Sequence, residues 1–153
     1  AKLRGEDCSA AKKRKRRKRG GMAMVTETDR AVFALCDTIR ETSLALHSYL
    51  RHGHMEKVYE NGLASRLRQQ GLVVEQQRPM TVRDEDGTVL GELHADLYVN
   101  AAVIVELKAV RVLAPEHTAQ LLGYLRACRV EHGLLVNFGA PRLEIRKYAL
   151  SPL

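Results

Sequence analysis

Apolar residues recur at helical spacing from Thr28 onward, at Val32, Leu35, Cys36, Ile39, Leu44, Leu46, Tyr49 and Leu50, and Arg51-His52-Gly53 ends the run. A second helix is predicted from Met55 to Gln70, with Met55, Val58, Tyr59, Leu63 and Leu67 as its apolar stripe and Gly71 as its stop. Strand-like runs follow at Leu72–Arg78, Thr81–Arg83, Val89–Val99 and Val103–Val110, with turns at Asp86-Gly87 and Asn100-Ala101. Pro115 opens a helix over Glu116–Cys128, a position that tolerates its missing amide proton. Strands at Gly133–Phe138 and Leu143–Ala149 finish the pattern. Two helices, four strands, a helix and two strands predict the α/β class, with a mixed β-sheet flanked by helices rather than an all-parallel doubly wound sheet.

The 153 residues suit one domain, and no apolar run approaches the roughly 20 residues of a membrane-spanning helix. The net charge of +7 suggests a nucleic-acid binder until it is divided along the chain. Residues 1–21 hold ten Lys/Arg and two acids, whereas the remainder holds 15 basic and 16 acidic residues and is nearly neutral. The run Lys12–Arg19 repels itself and has no apolar partner, so residues 1–27 read as a disordered basic tail. Such a tail makes salt-sensitive phosphate contacts, serves as a nuclear import signal, or is an extension upstream of a start at Met22 or Met24. Cys8, Cys36 and Cys128 are an odd number without the close spacing of a zinc site, which reads as a reduced, cytoplasmic protein; the nucleus is the option for a eukaryotic host with a native tail.

The informative chemistry lies in His94-Ala95-Asp96-Leu97-Tyr98-Val99 and Val103-Ile104-Val105-Glu106-Leu107-Lys108. A turn centred on Ala101 pairs Val99 with Val103 and sets Asp96 opposite Glu106 on one face, where like charges destabilise a sheet. Lys108, two residues beyond Glu106, shares that face. Two readings offset the repulsion. Lys108 neutralises both acids in a buried ion cluster, or Asp96 and Glu106 bind a hard divalent cation through oxygen while Lys108 holds an attacking water or developing phosphate charge. Glu56 and Glu60, four residues apart on the second helix, adjoin its core stripe. They reach over the sheet edge toward a metal, or they snorkel to solvent or pair with Lys57 or Arg68. Gln120 and Tyr124 share a face of the third helix with His117 one turn before. They are either polar residues at the core edge or groups that orient water and contact phosphate.

Asp96 followed by Glu106-Leu107-Lys108 resembles the active-site signature of the PD-(D/E)XK nuclease superfamily, with Ala95 in place of the usual proline. Gly53-His54-Met55-Glu56-Lys57-Val58-Tyr59 matches the G-x-x-E-x-x-Y signature of the GxxExxY proteins, a compact branch of that superfamily. The resemblance runs from about Thr28 to Leu150 and includes Val74-Glu75-Gln76-Gln77, the helix His117–Leu125 and the strand Gly133–Phe138. Gln120 and Tyr124 are also similar to the Q-x-x-x-Y element of RecB-type nucleases. The resemblance implies a restriction-endonuclease-like α-β-β-β-α-β core over residues 28–153 and a metal at the end of the central hairpin. It further implies Asp96 and Glu106 as ligands, the Val105 carbonyl as a candidate to complete the shell, and Lys108 as the catalytic lysine. Glu60 is the first choice, and Glu56 the second, for an additional acid from the helix. The loop Arg51-His52-Gly53 departs from the Gly-Pro-Gly-like loop of similar proteins.

The function expected is therefore a nuclease dependent on Mg²⁺ or Mn²⁺, acting on nucleic acid with DNA preferred, with Asp96, Glu106, Lys108, Gln120 and Tyr124 in the catalytic set. The alternative is a nucleic-acid- or protein-binding module that keeps the fold without efficient chemistry. The near-neutral domain favours that alternative and the intact signature opposes it. A small-molecule enzyme has no phosphate-binding glycine loop or nucleophile elbow behind it. A homodimer is left open, as are DNA against RNA and end against internal cleavage.

Overall fold

The computed structural model describes residues 24–150, so Cys8 and the basic run Lys12–Arg19 lie outside the described residues. Helix α1, Glu27–Leu50, opens on a reciprocal cap: the Asp29 amide donates to the Thr26 hydroxyl at 3.1 Å, and the Thr26 amide donates to the Asp29 carboxylate at 2.9 Å. Its buried stripe holds Val32, Leu35, Cys36, Ile39 and Leu46. Leu44 and Tyr49, expected on that stripe, are exposed.

Helix α2, Glu56–Gln69, buries Tyr59, Leu63, Ala64 and Leu67 but leaves Met55 and Val58 exposed. The place expected for an apolar residue is taken by Glu60, which is 3% exposed. Tyr59 explains the loop between the helices. Its ring stacks on Phe138 at 4.7 Å, and its hydroxyl accepts from the His54 amide and donates to the Arg51 carbonyl. One buried side chain thus ties both ends of the loop, in which Arg51 and Gly53 take left-handed backbone conformations.

Strand β1 runs unbroken over Val74–Arg83, which corrects the two separate runs expected at Leu72–Arg78 and Thr81–Arg83. Pro79 does not break it, because β1 is an edge strand where a missing amide proton is tolerated. Strands β2 (Val89–Val99) and β3 (Val103–Lys108) form the expected hairpin, with Val99 paired to Val103. Asn100 and Ala101 both take positive φ values, as a tight hairpin turn of the primed type demands. Helix α3, Pro115–Cys128, carries the chain to β4, His132–Asn137, which lies parallel to β3; β5, Glu144–Ala149, returns antiparallel. The sheet order is β1-β2-β3-β4-β5, a mixed sheet as expected.

The central strands are covered on both faces. Val103, Val105 and Leu107 join Ile39, Leu63, Leu97 and Phe138 under α1 and α2, while Ile104 joins Leu121, Leu125 and Leu135 under α3. Each such side chain contributes about 1.5–3 kcal/mol by leaving water. This two-sided burial explains the unbroken apolar run before Glu106. Among the described residues, no helix is long and apolar enough to cross a membrane.

Candidate active site

The β2–β3 ladder is formed at Val99/Val103, Tyr98/Ile104 and Leu97/Val105, and there it stops. The next opposed positions are Asp96 and Glu106, as the turn geometry requires. Their carboxylates replace the missing backbone partners. The Leu107 amide donates to Asp96 Oδ2 at 2.8 Å, and the Asp96 amide donates to Glu106 Oε1 at 3.3 Å. Both acids are buried, with 9% and 3% exposure. Glu106 is pushed up to about 9, first by its burial and next by the negative charge of Asp96.

Strand alternation puts Glu106 and Lys108 on the α3 face with Ile104. Lys108 Nζ does not ion-pair with either acid; it donates to Gln120 Oε1 at 3.1 Å, and Gln120 Nε2 in turn donates to the Tyr124 hydroxyl at 3.2 Å. The cluster in which Lys108 neutralises the two acids is therefore not formed. Tyr124 is raised above the ordinary phenol range, chiefly by burial and then by the charge of Glu106. His117 serves elsewhere: its Nδ1 accepts from the Ala114 amide at 3.0 Å and so caps the start of α3.

The backbone behind Lys108 is pinned from β4. Asn137 Oδ1 accepts from the Val110 amide at 3.1 Å and from the Gly139 amide at 3.0 Å, while Asn137 Nδ2 donates to the Val110 carbonyl at 2.9 Å. These side-chain bonds end β3 at Lys108, two residues before the expected limit of Val110. Gly139 lies so close beneath that a Cβ there would stand 2.2 Å from the Val110 nitrogen.

Acids from the other layer approach the same end of the hairpin. Glu60 Oε1 accepts from Lys57 Nζ at 2.8 Å and from Gln76 Nε2 at 3.0 Å, and its Oε2 accepts from Gln77 Nε2 at 2.9 Å. Gln77 Nε2 also donates to Asp96 Oδ1 at 3.0 Å. Sequence pattern assigns Gln77 no role of its own, because a glutamine in a polar stretch carries no spacing signal. Glu56 is half-buried and raised above the ordinary carboxyl range, by burial first and then by the charge of Asp96, with Lys108 pulling the other way. Arg68 faces Gln76 and the Val74 carbonyl. Of the pairings open to Glu60, the one formed is with Lys57.

These residues fit a hard divalent cation. Two adjacent carboxylates, with Glu106 raised to about 9, form a pair that a proton or a cation would neutralise, and among the described residues no basic side chain ion-pairs with either. Among the described residues, no three His, Cys, Asp or Glu side chains converge into a ready cage. Mg²⁺ asks for no such cage, since it keeps several waters and is held by one or two carboxylates with substrate phosphate oxygens. A wide groove of about 540 Å³ lies away from this site, between α1 and α2, lined by Glu41, Thr42, Ala45, Arg66, Gln69 and Gln70.

Comparison with known proteins gives a match between residues 34–148 and the model of the PD-(D/E)XK nuclease superfamily. Among solved structures, the chain is similar to one titled "Crystal structure of SSO0001", with 24% identity and a TM-score of 0.44 over 64% of this chain and 51% of that one. The chain thus spans about half the length of that protein. No curated protein matches.

Proposed function

The chain belongs to the PD-(D/E)XK nuclease superfamily, and from that premise we propose that it is a metal-dependent nuclease hydrolysing phosphodiester bonds, with DNA as its preferred substrate. Asp96 and Glu106 would hold Mg²⁺ or Mn²⁺, and Gly53-His54-Met55-Glu56-Lys57-Val58-Tyr59 supports a place in the GxxExxY branch. One observation carries the reading: Lys108 stands beside two adjacent buried acids, yet is held by Gln120 rather than paired with their charge.

A bound divalent cation would lower the pKa of a water and neutralise charge on the phosphodiester. The chain's own residues do the rest. Gln120 and Tyr124 hold the Lys108 ammonium on the α3 face, where it positions the attacking water and meets charge developing on the phosphate. Of the two helix acids, Glu56 would be the one to join them, because Glu60 is already ion-paired with Lys57 and accepts from Gln76 and Gln77 as well, whereas Glu56 feels the charge of Asp96. This reverses the order of preference drawn from the resemblance.

The test is to incubate the purified protein with single- and double-stranded DNA and RNA in Mg²⁺, in Mn²⁺ and in chelator. Cleavage of DNA that chelator abolishes is the expected result. If no substrate is cut in either metal, the nuclease reading fails and a binding module that keeps the fold replaces it.

A further inference from the structure

Gln77 stands on β1 between two formed pairs, Gln76/Leu97 and Arg78/Ala95, and so lies opposite Asp96 without a ladder bond of its own. Its φ is +50°, in the left-handed region that is unfavourable for a residue with a long side chain. The twist has a specific consequence. Successive side chains of a regular strand point to opposite faces. Here the neighbours Gln76 and Gln77 both reach Glu60 of α2. Gln77 then places its two Nε2 protons on two different acids, Glu60 Oε2 at 2.9 Å and Asp96 Oδ1 at 3.0 Å. Carboxylates only accept, so the amide nitrogen must face both. With the Leu107 amide on Asp96 Oδ2, each oxygen of Asp96 carries one fixed donor.

We propose that Gln77 is a positioning residue of the active site: its strained backbone aims one amide at Glu60 and Asp96 together, fixing the Asp96 carboxylate for a divalent cation. The inference rests on the metal-dependent reading above. Strain of this kind persists only where the surroundings over-determine it, and here α2 and β2 do so from two sides. A carboxylate that must rotate freely loses entropy on meeting an ion, whereas one held by two donors does not. Partners of this type set metal affinity by about 10–100-fold. Glu60 belongs to the same device, as the buried anchor for Gln77 rather than as a ligand.

The deciding variant is Gln77→Gly, since glycine accepts the left-handed backbone while the whole side chain, amide included, is removed. Folding is checked by urea denaturation, and the dissociation constant for Mn²⁺ is measured by calorimetry on wild type and variant. Mn²⁺ binding should weaken by at least about 10-fold, and any cleavage should lose kcat more than KM. Should Gln77→Gly fail to fold, Gln77→Asn replaces it, keeping an amide one methylene too short to span both acids; the same weakening is expected. A folded variant that binds Mn²⁺ within about twofold of wild type overturns the proposal, since a backbone role alone would be met by glycine. If wild type binds neither Mn²⁺ nor Mg²⁺, it is the metal reading that fails. The orienting contact is then decided in the metal-free protein by a double-mutant cycle of Gln77→Gly with Asp96→Asn. Coupling of about fivefold or more in the folding constant supports it, and additive effects end it.

Discussion

Asp96 and Glu106 close the β2–β3 hairpin with side chains at the place where its backbone pairing stops: the Leu107 amide donates to Asp96 Oδ2, and the Asp96 amide donates to Glu106 Oε1. Two carboxylates occupy the gap where the strands part. The same gap leaves oxygen atoms facing one another at the end of a sheet whose central strands are otherwise apolar. Two buried acids thus meet where the proposed chemistry is placed.

Glu106 yields a prediction about stability and pH. Its ordinary value is 4.5, and burial followed by the charge of Asp96 raises it to about 9 in the fold. Between those values the unfolded chain has lost a proton that the folded chain keeps. The contribution is thus complete below about pH 4.5 and is lost as pH climbs toward about 9, at no more than about 1.4 kcal/mol per pH unit. In chelator, the urea midpoint should fall between about pH 5.5 and about pH 8.5, and Glu106→Gln should flatten that fall. Parallel wild-type and variant profiles would show that Glu106 is not the group responsible. Metal uptake should release the same proton, measurable as buffer-dependent heat.

Lys108 separates catalysis from binding. Lys108→Ala should lower the cleavage rate by about 10²–10³-fold with little change in substrate affinity, because its charge matters most in the transition state. Lys108 makes no ion pair with the acids, so the variant should remain folded. Tyr124→Phe removes only the hydroxyl that accepts from Gln120, and should slow cleavage by less than about 10-fold, as befits one exposed hydrogen bond. Rates equal to wild type in folded Lys108→Ala would remove it from the mechanism.

Gly139→Ala tests how the segment after Lys108 is held. The new Cβ would meet the Val110 nitrogen at 2.2 Å and the Ala109 carbonyl carbon at 2.3 Å, both backbone atoms that cannot turn aside. A loss of about 3 kcal/mol or more is expected in urea, the upper part of the range for overpacking. Gly91→Ala is the control, since nothing lies within 4 Å of its added carbon. A loss below about 1 kcal/mol at Gly139 would mean that the strand exit is more pliant than described.

The basic run Lys12–Arg19 gives a prediction from sequence alone. If it neutralises phosphates, removing residues 1–21 should weaken duplex binding and reduce the log–log salt slope by about 0.9 for each phosphate left without its basic partner. An unchanged slope would leave nucleic-acid affinity to the folded domain.

Local signals along the chain are enough to define the helices and the hairpin register, but not the extent of β1 or the end of β3. Two amphipathic helices, a Pro115 start and an Asn100-Ala101 turn are such signals, and one turn residue sets every pair behind it, so Asp96 had to fall opposite Glu106. Gln120 and Tyr124 were legible in the same way, as neighbours four apart on a helix. Tertiary packing chose the partners of charges and the shape of β1. Glu60 is buried because α2 packs against β1, a contact that spacing along the helix does not reveal. Lys108 could have met the acids or α3, since its alternation gave a face and not a neighbour. The left-handed Gln77 was the least legible feature, because no local preference favours it. Its side chain is held by Glu60 and Asp96, 17 residues before it and 19 after it, and a pattern read residue by residue does not contain those contacts from both sides.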